Sequence, residues 1–498
     1  MKGCFLLQRR FAHIGHYIAV HLKKKYRVNE FCGFVYTRAS LDFLKEQKDI
    51  NYSALLLDED VQKKYKEEKV DLKYLSYLEK EYGIPNLWPY IMVDRTLMYN
   101  IPVKEYPYDI PPFNHEELMR ITQAYARKII SFLKKEKPDF LFCSVIGGIA
   151  GVLLYHIAKK MGIRTMFVIE SCTEKRQVIS ETYNIFSSAD KIFARNKKEG
   201  APEKYLNEAK RFLENFRNQP TTYHTSVVQA RKATTRSSHL KFLRPKSFTQ
   251  SAKWFIHIMK EYQKQKKFKD YSYDSNPWQY LSNRLKRKAR NLIGLTDLYS
   301  PFNPDCDFAY FSLHYQPEIS TMLYAPFYVD QKYVIKQIAR SLPLHYTLYV
   351  KEHPVMVEYR PRSFYKEILK MPNVKLIDPS ISTYSILPKT KLVATIAGTT
   401  AWEGLLLKKP AINFGDRFYN SLPGAKRCHD FEQLPYIIKN QLDNYVPNEE
   451  ELIAFLAAIF EDSVPVDLIH LWEKEWDLKK KKAGLAPLAD ELARKLGL

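Results

Sequence analysis

The stretch LVATIAGTTAWEGLLLKKPAINFG, residues 392–415, decides the fold class. Apolar residues run to Ile396, Gly398 permits a tight turn, and Thr399 and Thr400 stand where a helix N-cap belongs. A helix over 401–407 follows, Lys408-Lys409-Pro410 ends it, and AINF reads as the next strand. Strand, helix and strand in close succession form a crossover unit, which demands a parallel sheet. In such sheets ligands bind outside the carboxyl ends of the strands. A free helix start there favours an anion, and Glu403, one turn in, suits two ribose hydroxyls better than a phosphate.

The neighbouring segments repeat the pattern. YVKEHP, residues 349–354, is a strand that ends on ionisable groups. Lys351 and His353 alternate on extended chain and point to one side, whereas Glu352 points to the other and reads as structural. A cationic lysine and a protonatable histidine suit a leaving phosphate, whose growing charge must be neutralised. YFSLHYQPEIST, residues 310–321, ends another strand and presents His314, Gln316 and Glu318, either to the same crevice or as a polar loop.

The first 195 residues alternate in the same way. CFLL, FCGFVYT, FLFCSV, RTMFVIE and ADKIFARN read as strands. HEELMRITQAYARKIISFLKKEK has helical spacing, and Gly147-Gly148 opens a further helix. With 498 residues and 45% hydrophobic content, the chain exceeds one ordinary core. The spacing of these patterns divides it at 1–195, 196–304, 305–445 and 446–498. The net charge of +23 is concentrated: residues 191–300 carry 25 Lys+Arg against 8 Asp+Glu. This segment reads as a basic, mostly helical insertion. Solvated helices are its plain reading. Its sharper reading is an anionic membrane surface over residues ~230–295, with Trp254 and Phe255 entering the bilayer. No nucleic-acid-binding motif accompanies the charge. Six scattered cysteines form no metal or disulfide pattern, and no apolar run is long enough to span a bilayer. These features point to a cytoplasmic protein.

As a set, SLHYQPE, KEHP and TIAGTTAWEGLLLKKPAINFG resemble the bacterial capsule and surface-polysaccharide glycosyltransferases, the group that includes the capsule Kdo transferases. The His-Pro pair also resembles that of bacterial sialyltransferases and of the polyol-phosphate transferases of teichoic acid synthesis. The resemblance covers residues 307 to about 419. It implies the GT-B architecture: two Rossmann-like α/β domains facing a cleft, the second holding a nucleotide-sugar donor and the first the acceptor and catalytic groups. By that resemblance His353 and Lys351 contact the donor phosphate, Gly398, Thr399 and Thr400 bind it through the helix start, and Glu403 holds the ribose. His314 joins the donor-binding set. A base for the acceptor hydroxyl is sought at strand ends of the first domain, where Glu170, His13 and His16 are the candidates. No aspartate pair of the metal-binding kind stands in a fitting place, so no metal and no cofactor are expected. The implied co-substrate is a CMP-, CDP- or UDP-linked sugar, and the implied acceptor is a glycan or lipid-linked glycan at the inner face of the plasma membrane. A nucleotide-sugar 2-epimerase, a CDP-polyol phosphotransferase and a non-enzymatic basic scaffold are the alternative readings.

Overall fold

The computed structural model describes residues 1–82, 86–99, 111–220, 245–268, 277–357 and 359–498. Of the polar basic stretch 221–250, which reads as a loop, 221–244 lie outside them, and 245–250 are corrected to the start of the helix Pro245–Phe268. Two sheets organise the chain. The first is built on β1 (Lys2–Leu7), β2 (Glu30–Val35), β3 (Tyr52–Leu57), β4 (Phe140–Cys143), β5 (Arg164–Glu170) and β6 (Gln177–Ser180). β1 to β5 are parallel in the order 3-2-1-4-5, and β6 pairs antiparallel with β5. The second sheet comprises β7 (Phe308–Ser312), β8 (Thr347–Lys351), β9 (Val374–Ile377), β10 (Leu392–Ala394), β11 (Ala411–Asn413) and β12 (Ala425–Arg427). It is wholly parallel in the order 9-8-7-10-11-12.

Both sheets are Rossmann-like, with helices on both faces. That is why their central strands are apolar at every position: Cys4 to Leu7, Phe140 to Cys143 and Phe308 to Phe311 are all buried. The helix His115–Glu136 starts where a capping box should start it, with the Asn114 side chain and Glu117 each accepting the other's backbone N–H.

One strand expectation is corrected. ADKIFARN lies in the helix Ser187–Glu199, because Ala189, Phe193 and Asn196 recur at helical spacing and are buried. Phe193 meets Phe455 of the helix Glu449–Glu461 edge-on at 5.1 Å. The strand that does follow β5 is the short β6, and the helix Ser187–Glu199 runs across the position expected as a domain boundary.

The tail returns to the first domain. β13 (Ser463–Val464) extends the first sheet beside β6. The helix Leu478–Leu496 packs on Arg10–Tyr26, where Asp490 accepts from His21 at 2.7 Å and Lys25 at 2.9 Å. Arg164 at the start of β5 donates to the last carbonyls of that helix, Lys495 O at 2.6 Å and Leu496 O at 2.9 Å.

The two domains meet through residues that follow the carboxyl ends of their strands. Trp402 Nε1 donates to Cys172 O at 2.9 Å, and Phe186 stacks on Phe418 at 4.5 Å. Tyr183 stacks on Tyr324 at 6.2 Å. The strand ends of both sheets therefore face one another, as in GT-B.

Candidate functional site

The order of the second sheet reverses between β7 and β10, and parallel sheets open their ligand crevice at such a point. His314 follows β7 and Thr395 follows β10. His314 Nε2 lies 3.0 Å from Thr395 Oγ1 and accepts from the Ala397 N–H at 3.3 Å. The Gly398 N–H donates to Thr395 Oγ1 at 3.1 Å, and Tyr419 OH donates to Gly398 O at 2.8 Å. Because Nε2 is the acceptor, the ring proton sits on Nδ1. Burial, with Arg360 and His353 adding, pushes the imidazole down to about 3. His314 is therefore neutral and positions the turn, and its buried Nδ1 has no hydrogen-bond partner among the described residues. A Cβ at Gly398 would stand 2.7 Å from Thr395 Oγ1 and 3.0 Å from His314 Nε2, so glycine is required here for close approach. Thr399 occupies the N-cap position of the helix Thr400–Leu406, but its backbone is helical and its hydroxyl caps nothing. The N-cap position itself is where the sequence reading puts it.

On one face of this sheet Lys351 and Glu403 come together. Lys351 Nζ donates to Ile381 O at 2.8 Å and to Thr383 Oγ1 at 2.7 Å. The two side chains are almost withdrawn from water, Lys351 5% and Glu403 6% exposed. Burial lowers Lys351 to about 8, opposed by the Glu403 charge. Burial raises Glu403 to about 7, opposed by the Tyr384 hydroxyl, which donates to Oε1 at 3.2 Å, and by Lys351. Tyr384 and Thr383 come from the short helix Thr383–Ile386, a segment with no motif to mark it.

The two groups titrate as a pair, and the pair sets a pH window. Ionised Glu403 can accept from hydroxyls, and protonated Lys351 can attract phosphate. Nucleotide affinity should rise through about pH 7 as Glu403 ionises and fall above about pH 8 as Lys351 loses its proton. Titration calorimetry from pH 5.5 to 9 checks this, values chosen to bracket both groups; in Glu403→Gln the rising limb should vanish.

Glu352 points to the opposite face, as its alternation predicts. There it forms a wholly buried ion pair with Arg360, accepts from Tyr365 OH at 2.6 Å, and accepts the His353 N–H at 2.5 Å. Arg360 also donates to His314 O. One arginine thus ties together the chain ends that leave β7 and β8. His353 Nδ1 accepts from the Val355 N–H at 3.3 Å, so the neutral ring carries its proton on Nε2. Burial, then Arg360 and Lys351, push it down to about 4. His353 is a neutral hydrogen-bond donor at pH 7.

In the first domain the glycine-led helix Ile149–Lys160 already holds a carboxylate. Asp94 accepts from the Ile149 N–H at 3.2 Å and also from Thr96 and Leu97 at 2.9 and 3.2 Å. A Cβ at Gly148 would come within 2.9 Å of Asp94 Oδ2. The protein's own carboxylate fills this anion position.

His13 and His16 do not face the strand-end crevice, which corrects that expectation. The helix begins at Arg10, so both lie on its packing face. His13 stacks on Phe43 at 3.7 Å with Trp472 at 5.5 Å, and burial lowers it, with Lys481 adding. His16 is fully buried with Nδ1 3.1 Å from Tyr52 OH, and burial pushes it down to about 4. Glu170 ends β5 and is pushed up to about 7 by burial, with the Asp467 charge adding. It is not brought into the Lys351–Glu403 cluster, but Cys172, two residues on, touches Trp402.

Sequence reasoning missed Arg95 and Arg9. Burial and then the Arg9 charge depress Arg95, opposed by Asp94 and Tyr315. The Tyr315 ring lies 5.9 Å from that of His353. Arg9 sits just past β1 with φ of 46°, a left-handed conformation uncommon for a non-glycine residue. A cavity of about 710 Å³ opens on the other face of the second sheet, lined by Tyr99 of the first domain and by Gln316, Asp330, Lys336, Phe364 and Glu367 of the second.

No family model and no curated protein matches this chain. Among solved structures it is similar to the β-Kdo 2,7-transferase KpsC of Thermosulfurimonas dismutans, at 12% identity over 74% of this chain and 89% of that one, with a TM-score of 0.37. It is also similar to MnaA of S. aureus solved with UDP, at 10% identity over 100% and 97% of the two chains, TM-score 0.26. A glycosyltransferase of Rickettsia africae matches at 9% identity over 99% and 98%, TM-score 0.26. The functional reading therefore rests on the site itself.

Proposed function

We propose that the protein is a glycosyltransferase that moves a sugar from a nucleotide-activated donor to a growing or lipid-linked surface polysaccharide. The observation that carries this reading is the buried carboxyl of Glu403, in the first turn of the helix after β10, beside the buried Lys351 amine at the end of β8, next to the reversal between β7 and β10. Burying two ionisable groups is costly, and perturbed groups at a strand-end crevice are the signature of a site. Glu403 accepts from the ribose hydroxyls. Lys351 supplies charge, and the His353 Nε2–H supplies a hydrogen bond, to the phosphate that leaves. Of the three base candidates, Glu170 alone lies close in sequence to an interdomain contact, and a carboxyl raised to about 7 is matched to removing a proton near neutrality. The acceptor oxygen bonds to the anomeric carbon as the bond from that carbon to the phosphate oxygen breaks. Glu170 takes the acceptor proton and the nucleotide departs with the electron pair.

A thermal-shift screen against CMP, CDP, UDP, GDP and their sugars tests the donor site. The matching nucleotide at about 100 times its dissociation constant should stabilise the protein by roughly 2.7 kcal/mol. Stabilisation by none of them overturns the reading. Turnover of a nucleotide-sugar to its epimer without any acceptor would replace the transferase by a 2-epimerase on the same site.

A further inference from the structure

The helices Pro245–Phe268 and Pro277–Ile293 form an antiparallel pair. Trp254 meets Tyr280 at 6.0 Å and Phe255 meets Trp278 at 5.7 Å, while Arg284 donates to Ser251 at 3.2 Å and lies over the Trp254 ring at 4.9 Å. Trp254 and Phe255 are thus half-buried against the second helix.

The second helix is turned the unusual way round. Its arginines face the protein: Arg287 donates to Tyr359 OH at 2.9 Å, and Arg290 donates to Tyr359 O. Its outward row is apolar: Trp278, Leu285, Leu292 and Ile293 are 63%, 58%, 52% and 60% exposed. The first three are seven residues apart, two turns each, so they line one face over about 21 Å at 1.5 Å per residue. Exposed Lys286 stands among them, and exposed Ile256, Lys253, His257 and Lys260 stand on the partner helix. Together the two helices hold 11 lysines and arginines against one glutamate. Among the described residues no helix is long and apolar enough to cross a membrane. An apolar row with tryptophan at one end, set in strong positive charge, matches an interfacial surface, where the apolar row enters the acyl boundary and the lysines meet anionic head groups. A nucleic acid would use the charge but not the leucine row.

We propose that the outward face of Pro277–Ile293 docks on an anionic phospholipid bilayer. Because Arg287 and Arg290 hold Tyr359, which is in the loop after His353, the docked bilayer lies on the His353 side of the second domain. This inference makes no use of donor binding, so it stands or falls separately from the transferase reading.

Sedimentation of the full chain with vesicles tests it. Binding should be at least about tenfold tighter to mixed phosphatidylcholine–phosphatidylglycerol vesicles than to phosphatidylcholine alone, and should weaken with salt. The double variant Leu285→Glu, Leu292→Glu should lose about tenfold or more of that binding with its melting temperature unchanged, since both side chains are already half or more exposed. Lys286→Glu should weaken binding to the anionic vesicles alone. Equal binding to both vesicles, unchanged binding of the leucine variant, or tight binding of a single-stranded oligonucleotide that is lost in that same variant would each overturn the proposal.

Discussion

Arg360→Ala should destabilise the second domain by about 3–5 kcal/mol, because it leaves the wholly buried Glu352 carboxylate without its cation. At 2–4 °C per kcal/mol this is a fall of roughly 6–20 °C in the melting temperature of that domain. Activity should fall further than stability alone accounts for, because Arg360 also holds the carbonyl of His314, and His314 holds the turn at Ala397 and Gly398. The ion pair itself is weak evidence of stabilisation, since apolar replacements of similar volume often restore what a broken pair loses. The double variant Glu352→Met, Arg360→Met should therefore recover much of the melting temperature without recovering turnover. Calorimetry beside an activity assay separates the two. A single variant as stable as the wild type would remove the ion pair from its assigned role.

Glu403→Ala should lower kcat/KM by about 10- to 10²-fold, at roughly 1.5–3 kcal/mol for hydrogen bonds to a charged group, and mostly through donor KM. Glu170→Gln should instead lower kcat by about 10²–10⁴-fold with donor affinity kept, as loss of a general base does. Stability tells a site residue from a structural one. The Glu403 carboxyl is raised to about 7 in the fold, above its ordinary value of 4.5. A raised carboxyl costs stability once pH exceeds its unfolded value, and the full cost is present above the folded value. Glu403→Gln removes that cost, so at pH 8 the variant should melt no lower than the wild type while binding nucleotide more weakly. A lower melting temperature at pH 8 would make Glu403 a structural residue.

Much of the fold is legible from local pattern. Apolar runs broken by Gly398, Pro410 and Pro354 mark the strands and crossovers of the second sheet, since short-range spacing alone sets the period. ADKIFARN reads as a strand by its short apolar run, whereas in the fold Ala189, Phe193 and Asn196 lie at helical spacing and the helix packs on Glu449–Glu461. β6 was missed because its four residues carry too short a run to register. Alternation correctly sends Glu352 away from Lys351. It is silent on Arg360 and Tyr365, which reach Glu352 from eight and thirteen residues further on.

The candidate site divides along the same line. From the sequence alone come the parallel α/β class, the residues at the ends of β8 and β10, and the positive segment, because each depends on neighbours within a few residues. Tertiary structure alone decides their charge. Burial makes His314 and His353 neutral donors or acceptors rather than cations, and draws Lys351 and Glu403 toward neutrality. It also decides that His13 and His16 pack among aromatic rings, that Asp94 fills the first domain's glycine-led helix start, and that the basic hairpin turns leucines outward. The physical reason is common to all of these. Secondary structure follows the short-range pattern of the chain, whereas desolvation depends on which distant segment covers a group, and that is settled only when the chain packs.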